Sequence, residues 1–384
     1  YWRVDDTLKA YQQLALLHRS TLDVPVIAIT GSAGKTTTRE LVSASLSSFG
    51  LVMSTQDNNN NDIGVPLTLL QATSSHIAIV IEMGMRGLGE IKRLSKCSKP
   101  DIAIITNIGS AHIGRLGNRR NIALAKTEIT SALDPSGTVI IPSNDFLLEE
   151  TLGKYWKGKI VRVNVEKFLP TNSQPIPEKV LIHNSNVNHL GKLDKSQSLL
   201  TFRGDVYKLP FPGFHNAINY MFALSVAIEL GYPLSSLTRI KAKTIPGRNT
   251  CIKKGKITIL DESYNASPES VKASLEFLAT KPGRHFAVLG QMLELGDESA
   301  KFHRDVVRSA IDIGLHGLII FADGVEAQIM FEEGSKLPFC SVHNKLDEVA
   351  NELQNILIPG DNLLIKASRK VALERLIPLI DNIN

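Results

Sequence analysis

A short glycine-containing turn lies between an apolar run and a helical pattern near the start of this chain. The apolar run covers residues 24–28, the turn reads ITGSAGKTTT, and the helical pattern follows over residues 37–49. Backbone N–H groups can point inward in such a turn, and the N-terminus of the next helix adds a partial positive charge. This strand–loop–helix unit favours an α/β fold with a parallel sheet.

The turn is shorter than the common phosphate-binding loop. That loop, G-x-x-x-x-G-K-[ST], places its first glycine five residues before the second. Counting back from Gly34 gives Ile29, whereas the nearest glycine is Gly31. The turn still predicts a nucleotide cradle, because Lys35 can reach the β- and γ-phosphates and the Thr36 hydroxyl can hold Mg²⁺. The pattern alone also allows a Gly/Ser/Thr-rich turn that only caps a helix.

Short β-branched runs alternate with helical patterns through the first part of the chain. The predicted strands cover residues 25–30, 76–83, 101–108 and 137–142, and further helices are predicted over 119–133 and 216–230. Near-continuous apolar runs of this kind are typical of buried parallel strands. We therefore predict a central P-loop domain with a mostly parallel sheet over residues 23–247. Residues 145–211 are strand-like and lack clear helices, so we interpret them as a smaller β-rich excursion of the same domain.

A second alternation begins after Pro246 and Gly247. Its predicted strands cover residues 256–263, 284–292, 316–324 and 361–368. The pattern predicts a smaller, Rossmann-like α/β C-terminal domain over residues 248–384. The Pro-Gly pair is the expected pivot for closure between the two domains.

Composition excludes several classes of protein. Hydrophobic residues make up 43% of the chain and charged residues 21%, which is typical of a globular protein. Cys97, Cys251 and Cys340 form no C-x-x-C pair, which argues against a disulfide framework and a zinc site and favours the cytoplasm. No apolar stretch approaches the about 20 residues of a membrane span. The net charge of +5 is mild and suits an anionic substrate. We expect no nucleic-acid partner and a monomer.

Polar residues end two of the predicted strands. Glu82 ends the apolar run IAIVIE, where an unpaired carboxylate would be costly to bury. The carboxyl ends of parallel strands face the ligand crevice, so Glu82 is predicted as a Mg²⁺ ligand, with a surface glutamate as the alternative. Asn107 ends the neighbouring strand, and His112 follows five residues later. For His112 the pattern leaves open a structural hydrogen bond or a metal ligand.

Lys126 interrupts an apolar stripe. In the helix RRNIALAKTEITSAL, Ile122, Ile129 and Leu133 share one face, and Lys126 lies between them on that face. The side chain could extend outward to solvent. Alternatively it occupies a confined site, where a lysine loses its proton readily. A neutral amine can take up CO₂ and become a carbamate, which is an oxygen ligand for Mg²⁺.

Together these pieces resemble the Mur ligases, the ATP-dependent amide-forming enzymes of peptidoglycan synthesis. The stretches that carry the resemblance are ITGSAGKTTTRELV, NNNNDIGVPLTLL, IEMGMRGLGEI, TNIGSAHIGRLG, ALAKTEI, GFHNAINYMFAL, IPGR, DESYNASPESVKASL, VLGQMLELGDES with His303 after it, and LIKASRKVALERL. They follow in order over nearly the whole chain. The family's loop is the short form G-x-x-G-K-T. The SYNASP stretch favours the branch that adds D-alanyl-D-alanine.

The resemblance implies an ATP-dependent ligase that joins D-Ala-D-Ala to a UDP-linked muramoyl tripeptide through an acyl phosphate. Its cofactors would be ATP, two Mg²⁺ ions and a carbamylated lysine at Lys126. One alternative is another ligase of the superfamily, of the diaminopimelate-adding or folylpolyglutamate type. A second alternative is a non-catalytic nucleotide-binding module, which we would expect to have lost Lys35, Glu82, His112 or Lys126. A generic P-loop switch fits the short loop poorly.

The resemblance also implies roles for individual residues. The catalytic residues would be Lys35, Lys126 and His112. The nucleotide would be bound by Gly31, Ser32, Ala33, Gly34, Lys35, Thr36, Thr37, Asn219, Arg248 and Asp261. The metal ligands would be Thr36 and Glu82 for one ion, and Glu82, His112 and carbamylated Lys126 for the other. The substrates would contact Asn58 and Asn60 for the UDP-linked peptide, and Tyr264 and Asn265 for the dipeptide.

Simpler interpretations exist for several of these residues. Asn219 lies in a helix that is apolar nearly all round and could be a buried hydrogen-bonding asparagine. Asp261 could cap the next turn, Arg248 could be a surface charge at the hinge, and residues 58–61 could form a solvated loop.

The sequence also departs from the family pattern. Gln291 stands where this branch usually has aspartate, and KASRK replaces the usual KGSR. The resemblance begins at VDDTLKAYQQLA, so we expect the chain to lack most of the family's N-terminal UDP-binding domain, with residues 1–22 as a remnant or linker.

Overall fold

The apolar run before the glycine turn forms a buried strand, β1 (Val26–Thr30). The computed structural model describes residues 3–167, 187–194 and 196–383. The chain divides into two units, the first made of Tyr1–Gly109 and Asn118–Lys243, the second of Ser110–Gly117 and Thr244–Asn384. Within the described ranges, no helix combines the length and the apolar character that crossing a membrane requires.

The helices occur in both units. In chain order they are α1 (Thr7–Ser20), α2 (Lys35–Leu46), α3 (Gly64–Gln71), α4 (Glu90–Ser98), α5 (Ile113–Leu116), α6 (Arg119–Thr127), α7 (Phe146–Tyr155), α8 (Phe214–Glu229), α9 (Pro268–Leu278), α10 (Ser299–Asp312), α11 (Gly324–Gly334) and α12 (Leu346–Ile356). Short 3₁₀ turns cover Glu128–Ala132, Leu234–Leu237, Gly296–Glu298, Arg369–Val371 and Leu373–Leu379. Of the helices, α5 and α9–α12 belong to the second unit.

The sheet of the first unit contains nine strands in the described part of the chain. Besides β1 these are β2 (Val52–Ser54), β3 (Ala78–Glu82), β4 (Ile102–Ile105), β5 (Thr138–Pro142), β6 (Lys159–Lys167), β7 (His189–Asp194), β8 (Leu199–Phe202) and β9 (Asp205–Lys208). Their order is β2-β3-β1-β4-β5-β6-β7-β8-β9. The pairs from β2 to β7 are parallel, and β8 and β9 continue the sheet as antiparallel strands.

Helices α2 and α8 share the main core of the first unit with the sheet. Leu41 and Leu46 of α2 and Tyr220 and Phe222 of α8 are fully or almost fully buried there, together with Ile29 of β1. The near-continuous apolar surface of α8 explains its central place. The helix that follows the glycine turn is therefore held by hydrophobic packing, which fixes its N-terminus at the sheet edge.

The prediction of a region without helices at residues 145–211 was wrong. Residues 146–155 form α7, whose start is fixed by the Asp145 side chain, which accepts a hydrogen bond from the Leu148 amide at 3.1 Å. Leu148 and Leu152 bury its inner face. The predicted strand KVLIHNS lies outside the described residues. In the same unit, the helix predicted over residues 119–133 is α-helical only to Thr127 and then tightens into a 3₁₀ turn.

The second unit has a six-stranded sheet within the described residues. Its strands are β10 (Thr250–Lys254), β11 (Ile257–Asp261), β12 (His285–Gly290), β13 (Gly317–Phe321), β14 (Cys340–His343) and β15 (Asn362–Lys366). The order is β10-β11-β15-β12-β13-β14, and only the β10–β11 pair is antiparallel. The predicted α/β fold with mostly parallel sheets is confirmed for both units.

The division between the units follows the chain only in part. The second unit begins at Thr244, and the predicted boundary lay between residues 247 and 248. The second unit also includes Ser110–Gly117, which contains α5. In the sequence, residues 118–243, a stretch of 126 residues, separate this segment from the rest of the second unit. Sequence periodicity does not reveal this, because the segment is too short to have a pattern of its own.

Candidate functional site

The glycine turn is fixed to the end of β4. Gly31 passes so close to Thr106 that a β-carbon at position 31 would lie 1.8 Å from the Thr106 hydroxyl oxygen. That hydroxyl donates to the Ala33 carbonyl at 2.6 Å. The Asn107 side chain makes two hydrogen bonds with Ala33, accepting from its amide and donating to its carbonyl, both at 3.0 Å. The turn is thus held to the sheet by side chains that the sequence analysis did not assign to the cradle.

Lys35 begins α2 directly after the turn. Gly34, with a φ of 81°, is the N-cap residue, and no side chain caps the helix in the described part of the chain. The Lys35 ammonium donates to the Gly31 carbonyl at 2.8 Å, so it folds back over the turn. Thr36 and Thr37 are buried in the first turn of the helix. This arrangement of glycine turn, lysine and helix N-terminus can bind a phosphate chain.

Asn219 of α8 lies against the turn. A β-carbon on Gly34 would be 3.0 Å from the Asn219 amide oxygen. This oxygen also accepts a hydrogen bond from the Thr38 hydroxyl at 3.3 Å, and the Asn219 amide nitrogen donates to Asn216 at 3.3 Å. The contacts match the interpretation of a buried hydrogen-bonding asparagine. They also place Asn219 beside the cradle, and its contact with adenine stays a prediction.

Glu82 is buried, with 2% of its surface exposed, so the alternative of a surface glutamate was wrong. It pairs in register with Ile29, immediately before the turn begins. One carboxylate oxygen accepts from the Asn60 side chain at 2.8 Å. The other lies 3.5 Å from the Arg39 guanidinium and has no hydrogen-bond partner among the described residues. A buried anionic oxygen without a donor fits a cation ligand.

Arg39 is a residue that the sequence analysis missed. Its side chain is almost fully buried, donates to the Asp57 carbonyl at 2.8 Å, and forms an ion pair with Glu40 at 2.5 Å. It therefore places a positive charge next to the buried Glu82 carboxylate. The available signal was its position in TTTREL, one helical turn after Lys35.

Lys126 is buried with 1% of its surface exposed, so the alternative of a side chain extending to solvent was wrong. Burial, and then the charge of Lys35, lower its pKa well below the ordinary value. The neutral amine that these conditions favour is a nucleophile able to react with CO₂.

The first unit also contains the two asparagines predicted to contact the UDP-linked substrate. Asn60 is half-buried and holds Glu82, while its own carbonyl accepts from the Gly84 amide at 2.8 Å. Asn58 is exposed. Asn60 therefore has a clear structural part in fixing the carboxylate, and substrate contact by either residue stays a prediction.

His112 lies in the second unit. It has a left-handed backbone with a φ of 67°, and its Nδ1 is 2.5 Å from the Glu294 carboxylate. A structural hydrogen bond, one of the two interpretations that the sequence left open, is therefore present. In the part of the chain that the structure describes, no three His, Cys, Asp or Glu side chains form a group able to hold a metal.

The remaining predicted residues of the second unit lie around the ends of β11 and β15. Asp261 is buried and accepts from the Gly247 amide at 3.2 Å and from Ser263, as the capping interpretation proposed. The Arg248 guanidinium lies 4.0 Å above the Tyr264 ring. Asn265 is exposed, and its side-chain oxygen accepts from the backbone amide of Arg369 at 3.3 Å.

Lys366 and Arg369 of the KASRK stretch complete this cluster and were not assigned from sequence. Lys366 is buried and donates to the Asn265 carbonyl at 3.1 Å. Burial lowers its pKa, and the nearby Glu262 opposes that change. Arg369 lies 5.6 Å from the same Tyr264 ring that Arg248 covers. Two guanidinium groups and an ammonium thus converge at one sheet edge, where an anion is favoured.

Comparison with known proteins gives concordant matches over both units. The Mur ligase middle domain matches residues 29–227, and the Mur ligase, glutamate ligase domain, matches residues 247–369. A UDP-N-acetylmuramoyl-tripeptide–D-alanyl-D-alanine ligase of Synechocystis is 39% identical over 373 residues, which is 96% of this chain and 77% of that protein.

Solved structures agree. The crystal structure of MurF from Acinetobacter baumannii has a TM-score of 0.83 and 30% identity, over 98% of this chain and 80% of that one. MurF ligase from Thermotoga maritima in complex with ADP has a TM-score of 0.84 and 27% identity, over 98% of this chain and 84% of that one.

We expect Gly31→Ala to weaken nucleotide binding by roughly tenfold or more, or about 1.4 kcal/mol. The added methyl would occupy the position of the Thr106 hydroxyl and push the turn from the sheet. Isothermal titration with ADP measures the loss. Gly153→Ala is the control, because a β-carbon there meets no atom within 4 Å. Equal ADP affinity of Gly31→Ala and wild type would contradict this account of the turn.

We expect the Lys126 amine to make stability depend on pH. Its folded pKa lies below its ordinary value of 10.5, so between those two values the unfolded chain binds more protons. The free energy of unfolding should therefore rise with pH in that window, by up to about 1.4 kcal/mol per pH unit. Lys126→Met should lack this contribution. Urea unfolding of both proteins in CO₂-free buffers from neutral to alkaline pH measures it, and a pH-independent difference between them would refute it.

Proposed function

This chain belongs to the Mur ligase family, and we infer that it is an ATP-dependent ligase joining D-alanyl-D-alanine to UDP-N-acetylmuramoyl-tripeptide in peptidoglycan synthesis. The observation that carries this conclusion is the 39% identity over 96% of the chain with a ligase of that name. Both family matches, one in each unit, point the same way. The retained Lys35, Glu82, His112 and Lys126 argue against a non-catalytic nucleotide-binding module.

The cradle of the first unit is the proposed site of ATP. The turn from Gly31 to Thr37 would surround the phosphates with backbone amides, and Lys35 would move from the Gly31 carbonyl to the β- and γ-phosphates. Asn219, already in contact with Thr38, would lie at the adenine end. The ADP complex of the Thermotoga maritima protein, whose fold this chain shares, supports nucleotide binding.

The magnesium ligands are proposed from the chemistry of the donors. Thr36 and Glu82 would hold one Mg²⁺, and Glu82 with His112 and a carbamylated Lys126 a second. Support comes from the buried Glu82 oxygen without a hydrogen-bond donor and from the buried amine of Lys126. When bound, Mg²⁺ would screen the negative charges of ATP and the substrate carboxylate and stabilise the transferring phosphoryl group.

The reaction needs activation because a carboxylate is a poor electrophile. We propose that the terminal carboxylate of the tripeptide attacks the γ-phosphorus of ATP, which releases ADP and leaves an acyl phosphate. The free amine of D-Ala-D-Ala then attacks the acyl carbon, loses a proton, and expels phosphate. Lys35 would stabilise negative charge on the phosphoryl oxygens during the first step. The site must exclude water, which would hydrolyse the acyl phosphate.

The second unit is proposed to supply contacts to the nucleotide and the dipeptide. Arg248 and Asp261 would contact phosphate and ribose, and Tyr264 and Asn265 would contact D-Ala-D-Ala. The stacking of Arg248 on Tyr264 supports a shared site for these two residues, and the converging positive charge suits an anionic ligand. For Asp261 the observed hydrogen bonds to Gly247 and Ser263 favour a structural part in shaping that site. Pivoting at residues 246–247 stays a prediction.

The cellular compartment, the oligomeric state and the contacts of the UDP-linked peptide are also proposed. All three cysteines are free, which suits a reducing compartment such as the cytoplasm. A monomeric state stays a prediction that light scattering can test. Asn58 and Asn60 are kept as proposed contacts of the UDP-linked peptide.

The deciding experiment incubates the full-length protein with ATP, UDP-N-acetylmuramoyl-tripeptide and D-Ala-D-Ala. We expect the pentapeptide product by mass spectrometry, with one ADP and one phosphate for each product molecule. Parallel reactions offer diaminopimelate to UDP-N-acetylmuramoyl-dipeptide, or glutamate to a folate. Product only in one of these would favour the other ligases. ADP binding without any product would favour a non-catalytic module.

We expect Lys126→Ala to lower kcat by about 10²–10³-fold, because the proposed carbamate ligand of the Mg²⁺ that stabilises the transferring phosphoryl group would be lost. A small added carboxylate such as formate should partly restore turnover by occupying the space of the carbamate. The measurement is pentapeptide formation with and without formate. Lys92→Ala, on an exposed lysine of α4, is the control and should keep normal kcat in both conditions. Undiminished turnover of Lys126→Ala would exclude the carbamate.

A further inference from the structure

The segment Ser110–Gly117, which contains α5, is held in the second unit by two glutamates. Glu269 in the first turn of α9 accepts hydrogen bonds from the Ser110 amide at 2.8 Å and from its hydroxyl at 2.9 Å. Glu294, which precedes a 3₁₀ turn, contacts the middle of the segment. We call these residues the His112 segment. The contact with Glu269 fixes where the segment starts, and the contact with Glu294 fixes the orientation of its short helix.

Glu294 makes three different contacts with the His112 segment. One carboxylate oxygen is 2.5 Å from His112 Nδ1, and the other is 3.5 Å from the Arg115 guanidinium. The Glu294 carbonyl accepts from the Gly114 amide at 3.0 Å. Glu294 alone therefore contacts the His112 ring, the Arg115 guanidinium and the backbone of α5.

The two backbones also approach closely. A β-carbon on Gly114 would lie 2.6 Å from the Gly296 nitrogen, and one on Gly296 would lie 2.8 Å from the Gly114 α-carbon. Glu294 itself has a left-handed backbone with a φ of 64°, as does His112 with 67°. Such conformations cost free energy in residues other than glycine, so they persist where surrounding contacts fix them. The glycines at 114 and 296 therefore permit this close contact, and the surrounding contacts hold the backbones of His112 and Glu294 in place.

We propose that Glu294 is a positioning residue for His112. This inference rests on the proposed function, in which His112 binds Mg²⁺. A carboxylate on Nδ1 keeps the proton of the neutral ring on that nitrogen, so Nε2 carries the lone pair that a metal needs. It also fixes the orientation of the ring. The backbone contacts of Glu294 fix the place from which the ring projects.

The test measures Mn²⁺ affinity by electron paramagnetic resonance on the full-length protein with a non-hydrolysable ATP analogue. Glu294→Ala should weaken Mn²⁺ binding about 10- to 100-fold, which is the usual effect of losing such a partner. Glu294→Gln, which keeps an acceptor but loses the charge, should show a smaller loss. Glu298→Ala is the matched control, because Glu298 pairs with Lys301 at the surface and should retain normal affinity.

Hydrogen exchange separates positioning from general loss of structure. Glu294→Ala and Gly296→Ala should both raise exchange of the amides in the His112 segment, while the amides of β12 and β15 keep their protection. Turnover should fall through kcat, with the KM for D-Ala-D-Ala nearly unchanged. Normal Mn²⁺ affinity in Glu294→Ala, with His112→Ala impaired, would overturn the positioning proposal.

The proposed ligase activity can fail separately. Wild-type protein that makes no pentapeptide would refute the function, whatever the metal affinities are. Unchanged Mn²⁺ affinity in His112→Ala would overturn both the metal role of His112 and the positioning role of Glu294, and would leave the ligase assignment intact if pentapeptide still forms.

Discussion

The close contact of Gly31 with Thr106 determines where the glycine turn lies. Because no side chain fits between them, the turn can rest directly on the end of β4 and receive hydrogen bonds from Thr106 and Asn107. Helix α2 then begins at a fixed place, with its inner face buried against the sheet and α8. Glu82 lies in register with Ile29, directly before this turn.

Buried charge is the second constraint on the first unit. Glu82, Arg39 and Lys126 are each at most 2% exposed, and an isolated ionised group in such a place loses much of its hydration energy. Arg39 offsets this for Glu82, whereas Lys126 has the charge of Lys35 nearby, which makes its protonated form less favourable still. A stable fold alone would favour an apolar residue at position 126. The burial of an amine there is better explained by chemistry than by stability.

The structural features that depend on residues close together in the sequence were predicted correctly. Strand β1, the glycine turn and α2 are consecutive, so their pattern is local and was recognised. The place of Glu82 at a strand end was also recognised, but whether it is buried was left open. Long-range pairs escaped prediction. Arg39 meets Glu82 and His112 meets Glu294 only after the chain folds, the latter pair across 182 positions. Helix α7 was missed because its signal is a single capping aspartate before a short, mixed pattern.

Asn107 shows how narrow the chemical tolerance of the cradle is. Its side chain gives one hydrogen bond to Ala33 and receives one from it, as a neighbouring strand would. The amide does both because it carries a donor and an acceptor, whereas a carboxylate only accepts. Slow deamidation to aspartate would set a carboxylate oxygen against the Ala33 carbonyl and replace one attraction by repulsion. Chemical ageing of this one side chain would then loosen the turn from the sheet while the hydrophobic core stayed intact.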